Sequence, residues 1–527
     1  MEHKAAHMAA PQSSINEVSV QSKPIPRVLA AVFLFVCGGF LLAVLALTPA
    51  FGGAVSAEKT DDTALPQLIE EGRVNPQFLS QLGDWFSQNF AFRSQLVDAD
   101  ATIKERLFMT SPIDQVIVGT DGWLYYGGEL NDWRGATPMT DGAIANAAYN
   151  LRLIQDALAV RGKGFAVAIA PNKSTLYPEH MPAWYVKHEG TSNAERISQA
   201  LQEREVCYVN LFDVLHSAQA AQSEPLYLKR DSHWTDVGAG YAAQAILDEL
   251  GHAHEDWQQE DAGNSAYREG SVGDLDDMLH PTSALPEPQQ DVTAFQSFSW
   301  TGEATSVEDS NSDTAGPSGS QGSLLMLRDS FGNALLPWMA HVYVTAHFSK
   351  LVPYNLSDAQ LASVDDVVIE RAERHISSFA SEPPYLSAPE LATPLVVRGD
   401  GASDGSSSDA SSAFNVVKNG PYLQVEGVLD EAICPAGTSV YLSFELADGS
   451  YQSYHCFRLS SSSESYQDRS SDDLQSEFIF EGDGGFRAFV PLERLSSAEP
   501  RRLVVCMYTT EGPVALAEQS IDWSLVD

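Results

Sequence analysis

Apolar residues recur at helical spacing in Phe78, Leu79, Leu82, Trp85, Phe86 and Phe90, and again in Leu151, Ile154 and Leu158. This spacing predicts two amphipathic helices. Short apolar runs follow: Phe165-Ala166-Val167-Ala168-Ile169-Ala170, Val206-Cys207-Tyr208-Val209-Asn210-Leu211, interrupted only by Asn210, and Leu324-Leu325-Met326-Leu327. Strands buried on both faces carry such runs. Their alternation with helices predicts a mostly parallel sheet covered on both sides, an α/β domain spanning 76–398. The pattern breaks between about 255 and 322, and the Ser-, Gly- and acid-rich stretch from Glu303 to Gly322 is expected to be a disordered insertion. A Gly/Ser/Asp linker is placed at 399–415. Beyond it, at 416–527, short β-patterned runs such as Ser439-Val440-Tyr441-Leu442-Ser443-Phe444 and Leu503-Val504-Val505-Cys506 alternate with Gly- and Ser-rich turns. These predict an all-β, sandwich-like module. Its aromatics Tyr422, Tyr451, Tyr454 and Phe486 either stack on sugar rings or fill a core; at alternating positions the core is favoured.

Near the start, Val28 to Leu47 is a run of 20 residues without a charge. At 1.5 Å per residue it is long enough to cross a hydrocarbon layer of ~30 Å. Lys4, Lys23 and Arg27 precede it, and Glu58, Asp61 and Asp62 follow. Positive-inside bias then makes 1–27 a cytoplasmic tail, 28–47 a single-pass anchor in the cell membrane, 48–75 a stalk and the remainder extracellular. The alternative is a cleaved signal peptide, because Val55-Ser56-Ala57 has the small residues of a cleavage site. The run is long for a signal core and ends well before that site, which favours an anchor.

Charge removes one class of partner. With 31 basic against 71 acidic residues the net charge is −40, and nucleic-acid binding needs clustered Lys and Arg. No Cys-x-x-Cys pair suggests zinc, and no glycine-rich phosphate loop precedes a helix. No metal or other cofactor is expected. Cys37 lies in the apolar run and Cys207 in a strand, so Cys434, Cys456 and Cys506 supply at most one disulfide, with free buried thiols equally open.

Two segments carry chemistry: Asp231-Ser232-His233-Trp234 and Arg328-Asp329-Ser330-Phe331-Gly332-Asn333. A serine hydroxyl is a weak nucleophile until a base takes its proton, and the base needs a third group to fix its tautomer. All three residue types are present. Thr235 and the spacing of Gly238, Tyr241, Ala242, Ala245 and Ile246 place Asp231 and His233 on a loop feeding a helix. Ser330 follows an apolar strand, at the end where open α/β sheets place ligands. Taken singly, each segment is more often structural than catalytic.

Asp231-Ser232-His233-Trp234-Thr235 with Gly238 resembles the Asp-x-His-Trp signature of the alginate O-acetyltransferase family (AlgJ/AlgX type) and its DHHW relatives. Ser330-Phe331-Gly332-Asn333 with Leu336-Pro337-Trp338 is similar to their nucleophile segment. Val118-Gly119-Thr120-Asp121-Gly122-Trp123-Leu124-Tyr125 resembles an opening motif, and Glu370-Arg371-Ala372-Glu373-Arg374 a closing one. The resemblance spans Pro76 to Phe379, about 300 residues. It implies an SGNH-hydrolase-like α/β/α domain, with Ser330 as nucleophile, His233 as base and acid, and Asp231 as orienting carboxylate. Position 328 is Arg where many serine-esterase relatives have Gly, and Leu351-Val352-Pro353-Tyr354 lacks an Asp-x-Arg expected of DHHW proteins. Candidate substrate contacts are Asn172, Lys173, Arg328, Asn333 and Tyr354. Asn172 and Lys173 could equally form a turn, and Arg328 pair with a structural carboxylate.

The function expected is O-acetyl transfer to hydroxyls of an extracellular polysaccharide or glycopolymer. The resemblance implies an MBOAT-type membrane protein as acyl donor, because acetyl-CoA is cytoplasmic. A polysaccharide esterase with the same triad, and a non-catalytic glycan-binding surface protein, are the alternatives.

Overall fold

The computed structural model describes six helical residues between 31 and 39, then 65–70, 73–253, 266–397, 414–461, 480–495 and 500–521. Among these no helix is long and apolar enough to cross a membrane. The anchor expected at 28–47 lies largely outside them, and so does most of the linker at 399–415. The chain divides into two compact units, Met1–Val97 and Asp98–Asp527. The first holds the predicted amphipathic helix, α1 (Phe78–Asn89), and a short antiparallel pair, Ile69–Glu70 with Arg73–Val74.

The second unit is built on a seven-stranded sheet. Its strands are β1 (Gly164–Ala170), β2 (Tyr208–Val209), β3 (Ser299–Trp300), β4 (Asn311–Ala315), β5 (Ser323–Leu327), β6 (Thr345–Ser349) and β7 (Asp366–Ala372), in the order β2-β1-β7-β5-β6-β4-β3. The first five in that order are parallel, whereas β4 pairs antiparallel with both β6 and β3. The sheet is therefore mixed, with parallel pairings in the majority.

Strand β4 lies inside the stretch expected to be disordered. Its sequence, Asn-Ser-Asp-Thr-Ala, has no apolar run to betray it, yet Ser312 and Thr314 are buried while Asn311 and Asp313 are exposed. That is the alternation of a strand with one covered face. The register from Asn311 opposite Ser349 to Ala315 opposite Thr345 supplies the backbone partners that hold so polar a segment in place.

Period-two side-chain alternation splits the core in two. Leu324, Met326 and Val368 face one way, onto α4 (Leu211–Ala221), α5 (Asp236–Leu250) and α7 (Gly332–Val342). Leu325, Leu327, Val367 and Ile369 face the other way, onto α2 (Asp141–Val160) and α3 (Asn193–Glu203). This is the three-layer α/β/α arrangement.

The C-terminal part is an all-β module of two four-stranded antiparallel sheets. One is built from Phe414–Asn419, Tyr422–Val428, Gly485–Pro491 and Phe457–Leu459, the other from Tyr451–His455, Val440–Leu446, Pro500–Thr509 and Gly512–Ser520. Tyr454 and Phe486 fill its core, so these two are not available for sugar stacking. Cys207, Cys434, Cys456 and Cys506 are free thiols. The module docks on α2 through two fully buried amides. Asn146 Nδ2 donates to the carbonyls of Leu459 and Asp483, and Asn150 exchanges hydrogen bonds with the backbone of Arg458.

Candidate active site

The chain leaves β5 through Arg328-Asp329-Ser330-Phe331 and turns directly into α7. The turn is held from below. Asp329 Oδ1 accepts the Phe331 N–H at 2.9 Å, and Oδ2 accepts the Ala372 N–H at 2.8 Å and lies 3.0 Å from His375 Nδ1. Burial pushes this carboxyl up, but the hydrogen bond and charge of His375 and the charge of Arg374 outweigh it and hold Asp329 well below the usual range. Burial together with the Asp329 charge drives neighbouring Glu370 the other way, well above the usual range. Gly332 permits the close turn, since a Cβ there would sit 2.5 Å from the Arg328 side chain.

Opposite this turn, a tight loop between Leu226 and Thr235 is closed by a Tyr227–Trp234 bridge and by Thr235 N–H to Leu226 O at 2.8 Å. Thr235 Oγ1 then caps α5 by accepting the Gly238 N–H. Glycine is required at 238, where a Cβ would lie 2.3 Å from the Leu226 carbonyl. Trp234 ties the two segments together: its indole N–H donates to the Phe331 carbonyl at 3.0 Å, and its ring packs edge-on against Phe331.

The result is a continuous relay. Ser330 Oγ is 2.8 Å from His233 Nε2, and His233 Nδ1 is 2.7 Å from Asp231 Oδ1, which also accepts the His233 N–H. Residues 97 apart in sequence thus come within hydrogen-bond reach, in the order hydroxyl, imidazole, carboxylate that activates a serine. Burial disfavours the charged ring, but the Asp231 hydrogen bond and the charges of Asp231 and Asp274 outweigh it and raise the His233 pKa. Arg374 opposes them. Among the described residues the Ser330 N–H makes no hydrogen bond, leaving it free to meet a developing oxyanion.

Residues 116–317 match the family described as SGNH hydrolase-like domain, acetyltransferase AlgX. This part of the chain is thus similar to the AlgJ/AlgX-like family. Two relatives, each named "Probable alginate O-acetylase AlgJ", align over 140 residues. The one from Pseudomonas syringae pv. tomato is 34% identical, over 25% of this chain and 32% of its own length. The one from Pseudomonas aeruginosa is 28% identical, over 26% and 34%. The match thus spans about a third of either relative. Two solved structures overlay more loosely. The O-acetyltransferase domain of Pseudomonas putida AlgJ has a TM-score of 0.33 at 21% identity, covering 50% of this chain and 92% of that one. A DHHW family protein from Eubacterium siraeum has a TM-score of 0.34 at 16% identity, covering 50% and 97%. Neither overlay bears on function. The matched family span contains Asp231 and His233 and ends before Ser330.

The other sequence candidates divide by position. Lys173 is fully buried, and its Nζ donates to the carbonyls of Leu228, Lys229 and Asp231 at 2.9, 3.0 and 2.6 Å. The rings of Trp123 and Tyr125, from the opening motif, lie 5.4 and 5.3 Å from the same ammonium. Burial pushes its pKa down to about 8 against the pull of Glu129 and Asp231. Lys173 thus fastens the loop bearing Asp231 rather than touching substrate. Asn172 donates its N–H to Glu373 and its Nδ2 to Asp132, and bonds to neither Ser330 nor His233.

Arg328 and Asn333 pair with each other, and Arg328 Nη2 also donates to the Val307 carbonyl. Both brace the turn from inside, which removes Arg328, fully buried, from the substrate contacts. Tyr354 belongs to the core on the far face of the sheet, with the Arg371 guanidinium over its ring. It is not part of this site.

Two residues escaped the sequence reading. Asp274, at the start of α6 (Asp274–Leu279), donates its N–H to Asp231 Oδ2 at 3.0 Å, accepts from Ser232 N and Oγ, and brings Oδ2 to 3.7 Å from His233 Nδ1. Asp231, His233 and Asp274 place their ligand atoms within 4.8 Å of one another, the spacing a metal ion would need, but hydrogen bonds of the relay already engage those atoms. Arg374 lies over the Phe331 ring at 5.1 Å, and its Nη1 has no hydrogen-bond partner among the described residues. Its presence in the closing motif was the available signal. Asp274 lay where the sequence pattern breaks and gave none.

Proposed function

We propose that the protein is an O-acetyltransferase acting on a cell-surface polysaccharide or glycopolymer. In this reading residues 28–47 anchor it, the domain lies outside the cell, and an MBOAT-type membrane protein delivers the acetyl group. The observation that carries the chemistry is the 2.8 Å approach of His233 Nε2 to Ser330 Oγ with Asp231 behind it.

Ser330 Oγ attacks the acetyl carbonyl as its proton passes to His233 Nε2. The tetrahedral intermediate collapses, and the leaving group departs with that proton, leaving acetyl-Ser330. A sugar hydroxyl then gives its proton to His233, attacks the ester and releases Ser330, which regains the proton. Asp231 holds the ring so that Nε2 faces the serine and stabilises the imidazolium in both halves. Water at about 55 M competes with the sugar, but an aligned acceptor reaches an effective molarity of ~10⁵ M or more, enough to win.

The test is intact-protein mass spectrometry with a small activated acetyl ester, with and without oligosaccharide, beside Ser330→Ala. The expected result is a gain of one acetyl on the parent protein alone, with turnover about a million-fold lower in the variant, and acetylated sugar on adding acceptor. Acetate release without sugar product selects the esterase. An acetyl adduct equal in both proteins refutes the serine mechanism.

A further inference from the structure

Along the carboxyl edge of the same sheet runs a cleft of about 1100 Å³, whose lining includes none of Asp231, His233 and Ser330. Its floor comes from the carboxyl ends of three adjacent strands. Thr175 follows β1, Asn210 follows β2 and Glu373 follows β7, while residues 186–195 and α3 form its wall. Strand β7 lies next to β5, whose end carries Ser330. With strands ~4.8 Å apart, the cleft starts about one strand from the nucleophile and extends over the next two. Its volume exceeds the ~300–1,000 Å³ usual for a small-molecule pocket. Its place and length suit a chain whose reacting unit sits at Ser330 and whose neighbouring units lie along the sheet edge.

The lining has a definite chemical character. Asp132, Glu189, Glu195 and Asp213 line it with carboxylates, Glu373 adds a carboxyl that burial pushes up to about 8, and Lys187 is its single Lys or Arg. Lys187 lies 5.3 Å over the Trp133 ring. The whole chain adds a net charge of −40. Carboxylates are acceptors only, suited to sugar hydroxyls and hostile to another carboxylate. A polyanion would meet like charge in the cleft and on approach.

We propose that this cleft is the subsite for the acceptor polymer, and that it takes an uncharged, hydroxyl-rich glycan rather than a polyuronate. The proposal rests on the acyl-transfer reading above, and its test separates the two. Full-length Ser330→Ala protein, which cannot turn over, is titrated calorimetrically with size-matched neutral hexose oligosaccharide and with oligouronate, at 50 and 500 mM salt. The neutral sugar is expected to bind with a Kd that salt leaves within twofold, and the oligouronate at least tenfold more weakly at low salt. Adding Gln199→Trp, which fills the cleft from the exposed face of α3, should weaken the neutral sugar at least tenfold. At this exposed position the same substitution should leave the urea unfolding midpoint unchanged. Adding Glu189→Lys with Gln202→Lys should narrow the gap between the two sugars. Equal or tighter binding of oligouronate, or no effect of Gln199→Trp, overturns the proposal. Failure of the small ester to acetylate Ser330 instead overturns the acyl-transfer reading.

Discussion

Replacing Asp274 by Asn should move the acid limb of the pH–rate profile to lower pH. His233 must be neutral to take the Ser330 proton, so activity rises as pH passes upward through its pKa. Asp274 raises that pKa by placing Oδ2 3.7 Å from Nδ1. At this distance two unit charges interact by about 1 kcal/mol in water and about 4–5 kcal/mol at an effective dielectric of 20. The Asp274 side chain is 32% exposed and that of His233 22%, which places the effect toward the lower figure. At 1.36 kcal/mol per unit the limb should fall by on the order of one pH unit. The Asp274 N–H to Asp231 survives the substitution, so the orientation of Asp231 is kept. The assay is kcat/KM for a small acetyl ester from pH 4 to 8. A limb that stays in place or moves upward would refute the assignment of Asp274 as a charge acting on His233.

Arg374→Gln should have the opposite sign: removing the positive charge that opposes protonation raises the His233 pKa and moves the limb to higher pH in the same assay. Lys173→Met leaves the carbonyls of Leu228 and Asp231 without that donor, while the Lys229 carbonyl keeps the Leu124 N–H, and at ~1–3 kcal/mol each should destabilise the fold by about 2–6 kcal/mol. Chemical denaturation checks this, with activity falling more than tenfold as the Asp231 loop loosens. Burial lifts the Glu373 carboxyl to about 8, so the folded state holds a proton that the unfolded chain releases at its ordinary pKa. Stability from this group is complete below about pH 4.5 and is lost as pH rises to about 8. Glu373→Gln, which can still accept from Asn172 and Thr175, should flatten the fall in urea midpoint across that window. An unchanged slope would refute the assignment.

The residues that perform the proposed chemistry were legible because their signals are local. Asp231 and His233 stand two positions apart before a capped helix, Ser330 directly follows an apolar strand, and neither pattern needs a distant partner to be seen. The α/β alternation and the β module were legible for the same reason, since periodicity reports burial within a single element. Tertiary structure decided what depends on which face a segment presents and what meets it there. Tyr354, equally visible in sequence, fell on the far face of the sheet. Arg328 turned inward because Asn333 and the Val307 carbonyl receive its charge. Asp274 joined the relay through a backbone N–H and a carboxylate that no residue pattern encodes. Strand β4, almost wholly polar, became part of the sheet because β6 offered an unpaired edge. A hydrophobic pattern records what leaves water, whereas a backbone pairing or a buried charge acquires its meaning only from the group that arrives opposite it.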